Sequence, residues 1–337
     1  MKKKLFSILQ FIALLAIGIT LMWLVFRHED PKKIWSDITS ADYRWVGFSL
    51  FISLIAYTVR AIRWKMLIVP LGYNPKLSNT FYAMMVGYLA NLALPRLGEI
   101  TKCGALNRAE KIPIDKLIGT VIVERVVDVI SLLCCLIISA FLECDRITSF
   151  LSIYLFKPMN EKFGGLLHST TVLAVGVTGI VLIIVLLLVF RKKIMQSKFI
   201  KKIRGLASGL IEGLRSVRKM KNSGLYIFLT AFMWTLYMLT SYVCFFSLPS
   251  TNHLGISAGI FILVAGGFGM SAPVQGGIGA FHFIVKEALT MYNVPETDGL
   301  VYATVVHGSQ TIFAILLGFL SLILLYFSRR KTNNAIT

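Results

Sequence analysis

The stretch VIVERVVDVI, residues 121–130, is apolar except for three ionisable side chains. These are Glu124, Arg125 and Asp128. Glu124 and Asp128 share a helix face at i, i+4, and Arg125 can reach Asp128 at i, i+3. A charge near the centre of a membrane-spanning helix costs about 2.5 to 3.5 kcal/mol on insertion scales, so such residues usually face a protein interior or a wet cavity. The spacing fits either a structural ion-pair network or a path for an ion or a polar head group.

Two further sites carry charges of the same kind. Arg60 and Arg63 stand at i, i+3 in VRAIRWKM, beside Trp64, and Arg96 and Glu99 follow a proline in NLALPRLGE. Arginines that point inward would clamp a phosphate or pair with the acidic residues above, whereas arginines that point outward would snorkel to the membrane interface, where Trp64 fits an aromatic belt. Both orientations stay open for Arg60 and Arg63. Arg96 and Glu99 join the candidate substrate-binding residues.

The elements that position these residues are apolar helices. Hydrophobic residues make up 56% of the chain, and the mean hydropathy is +0.74. Several apolar runs reach about 20 residues, the length that crosses a hydrocarbon core of about 30 Å. We therefore predict an all-α, polytopic integral membrane protein with about six full transmembrane helices. The six runs are residues 5–26, 46–69, 117–142, 170–190, 225–248 and 300–327.

Residues 1–337 are interpreted as a single membrane domain, because no polar segment exceeds about 35 residues and independent domains usually need about 50 or more. The first apolar run is too long for the core of a secretory signal peptide, so we expect it to be a span. With the N-terminus in the cytoplasm, 26 of the 35 Lys and Arg residues fall on the cytoplasmic side and 7 on the other. This bias follows the positive-inside rule and predicts that both termini are cytoplasmic.

The formal net charge of +19 would favour nucleic-acid binding in a soluble chain. In a membrane protein with this charge distribution it favours anionic lipid, and we expect no nucleic-acid partner. The loop 191–224 carries 11 of the cations and has apolar residues at helical spacing. It is predicted to be a cytoplasmic amphipathic helix at the membrane interface, although a simple topology signal explains the charges equally well.

Two apolar segments, 77–94 and 256–292, are interrupted and do not fit ordinary spans. Both flanks of the first are basic, and both flanks of the second lack Lys and Arg. Each segment should therefore enter and leave on one side, as a re-entrant helical hairpin buried in protein or lining a wet cavity. At the breaks proline removes an amide donor and glycine allows unusual backbone angles. The predicted break residues are Pro95, Gly98, Pro273, Gly276, Gly277 and Gly279.

The order span, span, hairpin, span occurs twice, in residues 5–142 and in residues 170–327. The first half starts inside and the second starts outside, which predicts an inverted-topology repeat. In such a plan substrate commonly sits at the repeat interface, near the membrane centre. His282 follows the second break and joins the candidate substrate-binding residues.

The sequence shows no signature of metal or cofactor binding. Its five cysteines lack the spacing of a zinc site. It contains no phosphate-binding loop, no dinucleotide fingerprint and no plausible Ser/His/Asp arrangement. We expect no metal, no cofactor and no catalytic residue.

The motifs NLALPRLGE, VIVERVVD and APVQGGIGAFH, preceded by RAIRW, resemble the membrane domain of bacterial lysylphosphatidylglycerol synthases, a flippase-like family. The resemblance covers essentially the whole chain. It implies a domain that moves a phospholipid, often one with a modified or cationic head group, between leaflets. Nothing in the 337 residues resembles the soluble aminoacyl-transferase domain of the full-length synthases. The matching motif positions are Arg96, Gly98, Glu99, Glu124, Arg125, Asp128, Pro273, Gly276, Gly277 and Gly279.

Together these features predict lipid translocation in the bacterial cytoplasmic, or inner, membrane, acting on an anionic or aminoacylated phospholipid. The alternatives are an intramembrane enzyme and an accessory subunit or scaffold in modified-lipid synthesis. A lipid-modifying enzyme partner and a homo-oligomer both stay open. Neither the lipid nor the energy source follows from the residues.

Overall fold

The computed structural model describes residues 15–27, 29–93, 97–151, 217–218 and 220–334. All regular structure in these ranges is helical. Pro95, Arg96, the predicted span 170–190 and most of the loop 191–224 lie outside the described residues. The described α-helices are α1 (Leu15–Phe26), α2 (Pro31–Ser40), α3 (Tyr43–Ile68), α4 (Leu77–Ala93), α5 (Leu97–Glu110), α6 (Ile114–Leu142), α7 (Cys144–Leu151), α8 (Ser223–Phe245), α9 (Ile256–Ser271), α10 (Ala280–Thr290) and α11 (Glu296–Asn334).

Three helical stretches are long and apolar enough to cross a membrane: Tyr43–Leu71, Ser223–Phe245 and Glu296–Ser328. Helix α6 has 29 residues and carries the charged triplet near its middle. Helices α1 and α9 are apolar but shorter as described. The all-α membrane class is therefore confirmed, whereas the total of six spans stays a prediction.

Helix α2 is an element that the apolar pattern does not predict. Asp30 caps it by accepting a hydrogen bond from the Lys32 amide at 2.9 Å, and Pro31 occupies the first turn, where its missing amide costs nothing. Trp35 is 69% exposed on its surface. The connection between α1 and α3 is thus a short amphipathic helix that packs against α11.

Helices α4 and α5 pack against each other as a helical hairpin. At their crossing a β-carbon on Gly98 would overlap the carbonyl oxygen of Gly87, so only glycine allows this approach. The Gly98 amide donates to Asn91 Oδ1 at 2.7 Å. We expected Gly98 in the break itself, but it lies in the first turn of α5, and its small size serves helix packing and not a turn.

Helices α9 and α10 form the second hairpin, with residues 272–279 between them. Pro273 lies in this break, and three glycines there have positive φ angles that favour glycine: Gly276 at 57°, Gly277 at 75° and Gly279 at 81°. Beyond the break, a β-carbon on Gly269 would stand 2.7 Å from Phe281 Cα, which shows how closely α9 and α10 approach.

The ends of the two hairpins meet. Leu92, near the end of α4, contacts Gly276 in the second break. The long helices around the hairpins pack reciprocally: α3 lies against α8, α4 against α11, and α9 against α6. Such pairing is what two related halves facing each other would produce, although the repeat boundaries 5–142 and 170–327 stay predictions.

Candidate functional site

Each carboxylate oxygen of Glu124 pairs with a different cation. Arg60 Nε donates to Oε1 at 2.8 Å, and Lys102 Nζ donates to Oε2 at 2.6 Å. Glu124 is fully buried. A buried carboxylate is tolerated when it is paired and hydrogen-bonded, so this contact ties α3, α5 and α6 together.

Asp128 lies one turn further along α6 and receives both arginines of α3. Arg60 Nη2 donates to it at 2.8 Å and Arg63 Nη1 at 3.3 Å, so Arg60 bridges Asp128 and Glu124. Arg63 is fully buried, and its Nη2 donates to the Tyr226 hydroxyl of α8 at 3.3 Å. In the described part of the chain Arg63 Nε is buried without a hydrogen-bond partner. The two arginines therefore point inward.

Arg125 and Glu99 form the accessible end of the cluster. Arg125 Nη2 pairs with Glu99 Oε1, while Lys102 Nζ lies 3.4 Å from Glu99 Oε2. The Arg125 side chain is 45% exposed and that of Glu99 27%. Arg125 lies 3.9 Å from Asp128, so its main partner is Glu99 and not the residue at i+3 that the spacing indicates.

Aromatic rings pack around these charges. Trp64 is fully buried, and its Nε1 donates to Thr120 Oγ1 at 2.9 Å. Lys102 Nζ lies 4.6 Å from the Trp64 ring centroid, and the Arg60 guanidinium lies 5.9 Å from that of Tyr88. Ring faces attract cations at such distances. The interpretation of Trp64 as an interfacial belt residue is wrong, because its ring supports a buried lysine.

Seven charged side chains are joined by these contacts, four of them cations and three carboxylates. The cations are Arg60, Arg63, Lys102 and Arg125, and the carboxylates are Glu99, Glu124 and Asp128. Among the described residues the cluster therefore has one more cation than carboxylates. Its partly exposed cation is Arg125, at the accessible end.

The structure brings together six of the eight predicted substrate-binding residues: Arg60, Arg63, Glu99, Glu124, Arg125 and Asp128. Arg96 lies outside the described residues. His282 lies in α10, where its ring neighbours in the described part are Phe26, Phe281 and His307. It is therefore part of a separate polar group.

Lys102 is the member of the charged cluster that the sequence analysis missed. Helix α5 buries one face, and Lys102 stands on it between Gly98 and Leu106, at i, i+4 from each. A lysine in a stripe that is otherwise small or apolar is the signal that could have identified it. The Lys and Arg residues assigned to the cytoplasmic side include Arg60, Arg63 and Lys102. Without these three, that side still has more Lys and Arg residues than the other side.

An apolar cavity of about 740 Å³ borders the cluster, between α6, α8 and α9. Its lining includes Val127, Cys134, Trp234 and Leu263. Tyr226 also lines it, and the hydroxyl of this residue accepts the hydrogen bond from Arg63. An apolar space thus adjoins the charged site directly.

Residues 11–318 match the family model described as the lysylphosphatidylglycerol synthase TM region. The chain belongs to this family. The matched residues include the charged cluster, the apolar cavity and both hairpins.

Two archaeal relatives of the protein match it over shorter stretches. The UPF0104 membrane protein MJ1595 of Methanocaldococcus jannaschii is 26% identical over 118 residues, which is 34% of this chain and 35% of that protein. The glycosyltransferase AglD of Haloferax volcanii is 25% identical over 122 residues, 36% of this chain and 20% of that protein. The matches thus cover about a third or less of each relative. No solved structure matches the chain significantly.

Proposed function

We propose that this protein moves a lipid with a phosphate-containing head group between the two leaflets of the membrane, as a flippase-like transporter that is not itself an enzyme. The observation that carries the proposal is the buried charged cluster with four cations and three carboxylates, accessible at Arg125. An unbalanced cation in low-polarity surroundings favours an anion. The planar fork of a guanidinium matches the geometry of a phosphate.

Arg125 is the residue best placed to receive the phosphate, because it is the most exposed cation of the cluster. A phosphate that replaces Glu99 as its partner leaves Glu99 beside Lys102, at 3.4 Å. Every charge then keeps a partner, so the exchange avoids the cost of an unpaired buried ion. The released carboxylate also offers a site for a cationic, aminoacylated head group.

The apolar cavity supports a lipid as the substrate. Acyl chains would lie against α6 and α8, where the cavity meets the cluster at Tyr226, while Arg125 lies on the α5 side of the cluster. Tyr226 joins the two environments, since it lines the cavity and bonds Arg63. A free polar solute would have no use for such an apolar neighbour.

The meeting of the hairpin ends supports transport through the centre of the protein. Broken helices that meet between two packed halves are the usual plan of transporters with inverted repeats. In this proposal both hairpins are re-entrant, the protein lies in the cytoplasmic membrane, and both termini are cytoplasmic. A lipid-modifying enzyme or a second copy of the chain are further candidate partners.

Reconstitution into liposomes tests the proposal. Purified protein is incorporated with fluorescent phospholipids carrying anionic, aminoacylated or zwitterionic head groups, and a membrane-impermeant quencher reports exchange between leaflets. We expect protein-dependent exchange with a preference among head groups. Exchange no faster than in protein-free liposomes for every head group would overturn the proposal.

Arg125→Gln and the matched control Lys116→Gln locate the activity. Lys116 is exposed at the start of the same helix. Because the partly exposed pair with Glu99 contributes at most about 1 kcal/mol, Arg125→Gln should fold normally. We expect it to slow exchange while Lys116→Gln retains the original rate. Equal rates for both variants would remove Arg125 from the path.

A second candidate is an enzyme or accessory subunit that acts on a lipid-linked substrate. It is favoured by the match to a protein named a glycosyltransferase, although the match covers a fifth of that protein. Glu124 and Asp128, the candidate bases, are already paired with cations, which argues against a base role. Mass spectrometry of lipids extracted after the exchange assay distinguishes the two, because an enzyme leaves a new product and a transporter leaves the lipids unchanged.

A further inference from the structure

A pair of histidines connects the second break to the last helix. His282 in α10 and His307 in α11 have ring centroids 5.0 Å apart, and both are buried, at 4% and 7% exposure. His307 Nε2 lies 2.8 Å from the carbonyl oxygen of Gly276. A carbonyl can only accept a hydrogen bond, so His307 carries its proton on Nε2 and presents Nδ1 as an acceptor.

His282 has a ring nitrogen without a hydrogen-bond partner. Its Nδ1 is buried and unpartnered in the described part of the chain. A buried polar atom without a partner costs free energy, and native proteins retain such atoms mainly where they serve a purpose. In the tautomer that carries its proton on Nε2, His282 can accept one added proton on Nδ1, next to the ring of His307.

Among the described residues, few other charges surround the pair. The titratable group of α11 that faces His282 is His307. Helix α9 carries no ionisable side chain, and the contact from α1 is the ring of Phe26. On α10 itself the charged residues are Lys286 and Glu287, one turn further along. Lys286 pairs with both Glu287, at 3.2 Å, and Glu296 of α11, at 2.7 Å, so these charges satisfy one another.

Phe281 offers part of the stabilisation that a buried imidazolium needs. Its ring centroid lies 4.9 Å from that of His307, within the distance of about 6 Å at which a ring attracts a cation. The rings of Phe281 and Phe26 lie slightly farther from His282, at 6.2 Å and 6.4 Å. A second proton is opposed by the charge of the first, so the pair is suited to a single proton.

A line of polar side chains leads from this pair to the charged cluster. Gln310 stands one turn beyond His307 on α11, and its Oε1 lies 3.5 Å from the Tyr57 hydroxyl. Tyr57 stands one turn before Arg60 on α3, and its ring packs against Tyr88 at 5.3 Å. These contacts connect Gln310 to the charged cluster, whereas the connection from His307 to Gln310 is helix α11 itself.

We propose that His282 and His307 form a binding site for one proton, and that loading it changes the contact of α11 with the second break and so the rate of lipid movement. The added proton binds His282 Nδ1, and its charge acts on the neighbouring His307 ring, whose centroid is 5.0 Å away. The positive charge then lies next to the Gly276 segment, which contacts Leu92 of the first hairpin. The coupling to transport rests on the function proposed above, whereas the proton site does not.

Histidine NMR titration of the full-length protein in lipid nanodiscs tests the site. Spectra are recorded from about pH 4 to pH 8, the range around the ordinary histidine pKa. The ring signals are assigned with His282→Gln, His307→Gln and the control His253→Gln, which removes an exposed histidine. We expect the two buried signals to move together with one midpoint, and His307→Gln to shift the midpoint of His282.

The site is disproved if the His282 signal of the unmodified protein does not move across this range. It is equally disproved if His282 titrates with the same midpoint whether or not His307 is present. The first of these two measurements uses the unmodified protein, so the proton site can be disproved even if a variant misfolds.

The exchange assay at different pH values tests the coupling. We expect the rate of the unmodified protein and of His253→Gln to change about fivefold or more across the titration, the lower end of typical coupling between sites. The rate of His282→Gln should be independent of pH. Titration without any lipid exchange at any pH would preserve the proton site and reject the proposed function, while a pH-independent rate in the unmodified protein would reject the coupling.

Discussion

Leu92 of α4 packs against Gly276 so closely that a β-carbon on Gly276 would stand 2.7 Å from Leu92 Cδ2. The contact joins the end of the first hairpin to the break in the second. It also fixes the segment whose carbonyl accepts the hydrogen bond from His307. The two halves of the protein therefore meet at this point, and a β-carbon on Gly276 would require the Leu92 side chain to move.

Gly276→Ala should destabilise the protein by about 1 to 3 kcal/mol. The positive φ costs a residue with a β-carbon about 1 to 2 kcal/mol, and overpacking adds at most about 1 kcal/mol because the atom it meets is the end of the flexible Leu92 side chain. Gly72→Ala is the control, because Gly72 has φ of 89° and open space around it. In equilibrium unfolding by detergent, Gly72→Ala should lose only the stability that the positive φ costs. Adding Leu92→Ala to Gly276→Ala should restore the part of the stability that is lost through overpacking. If no stability is restored, the two residues do not meet.

Gly98→Ala should open the first hairpin and cost more than about 1 to 3 kcal/mol, since the new methyl group overlaps the Gly87 backbone, which cannot rotate away. Gly104→Ala in the same helix has open space. It should be neutral or stabilising by up to about 1 kcal/mol, because alanine favours helix. Thermal unfolding of the two variants measures the difference. Equal stabilities would contradict the tight crossing of α4 and α5.

Glu124→Gln should destabilise the protein by about 3 to 5 kcal/mol, because it leaves Arg60 and Lys102 without their shared carboxylate. The double variant with Lys102→Met removes one of the stranded charges and should recover part of the loss. Asp115→Asn, at the exposed start of the same helix, should change stability by less than about 1 kcal/mol. A double-mutant cycle measures the coupling, and strict additivity would show that the pair is not formed.

Cysteine labelling should place Asn252 outside and Asp115 inside. Both residues are exposed, so a cysteine at either is accessible from its own side. The expectation follows from the bias of 26 against 7 cations between the two sides. An impermeant reagent applied to intact cells, with the native cysteines replaced, reads the result. Labelling of position 115 from outside would contradict the re-entrant assignment of α4 and α5.

The sequence by itself determined the class of the protein and the main part of its site. Apolar runs of membrane length require helices, because a helix satisfies its own backbone hydrogen bonds in lipid. Charges in such a helix are expected to face an interior or a cavity, and Glu124 is buried, Asp128 is mostly buried and Arg125 is partly exposed. The glycines of the second break likewise follow from local chemistry, and Gly276 and Gly279 have the positive φ angles that it favours.

Tertiary structure decided which groups meet. The spacing of Arg60 and Arg63 allowed them to point inward or outward, and the packing of α3 against α6 and α8 selected inward. Lys102 entered the site only because α5 folds back along α4 and presents that face to Glu124. Hydropathy and periodicity describe one helix at a time, whereas these pairings join residues distant in sequence, so their energies depend on neighbours that no local pattern specifies.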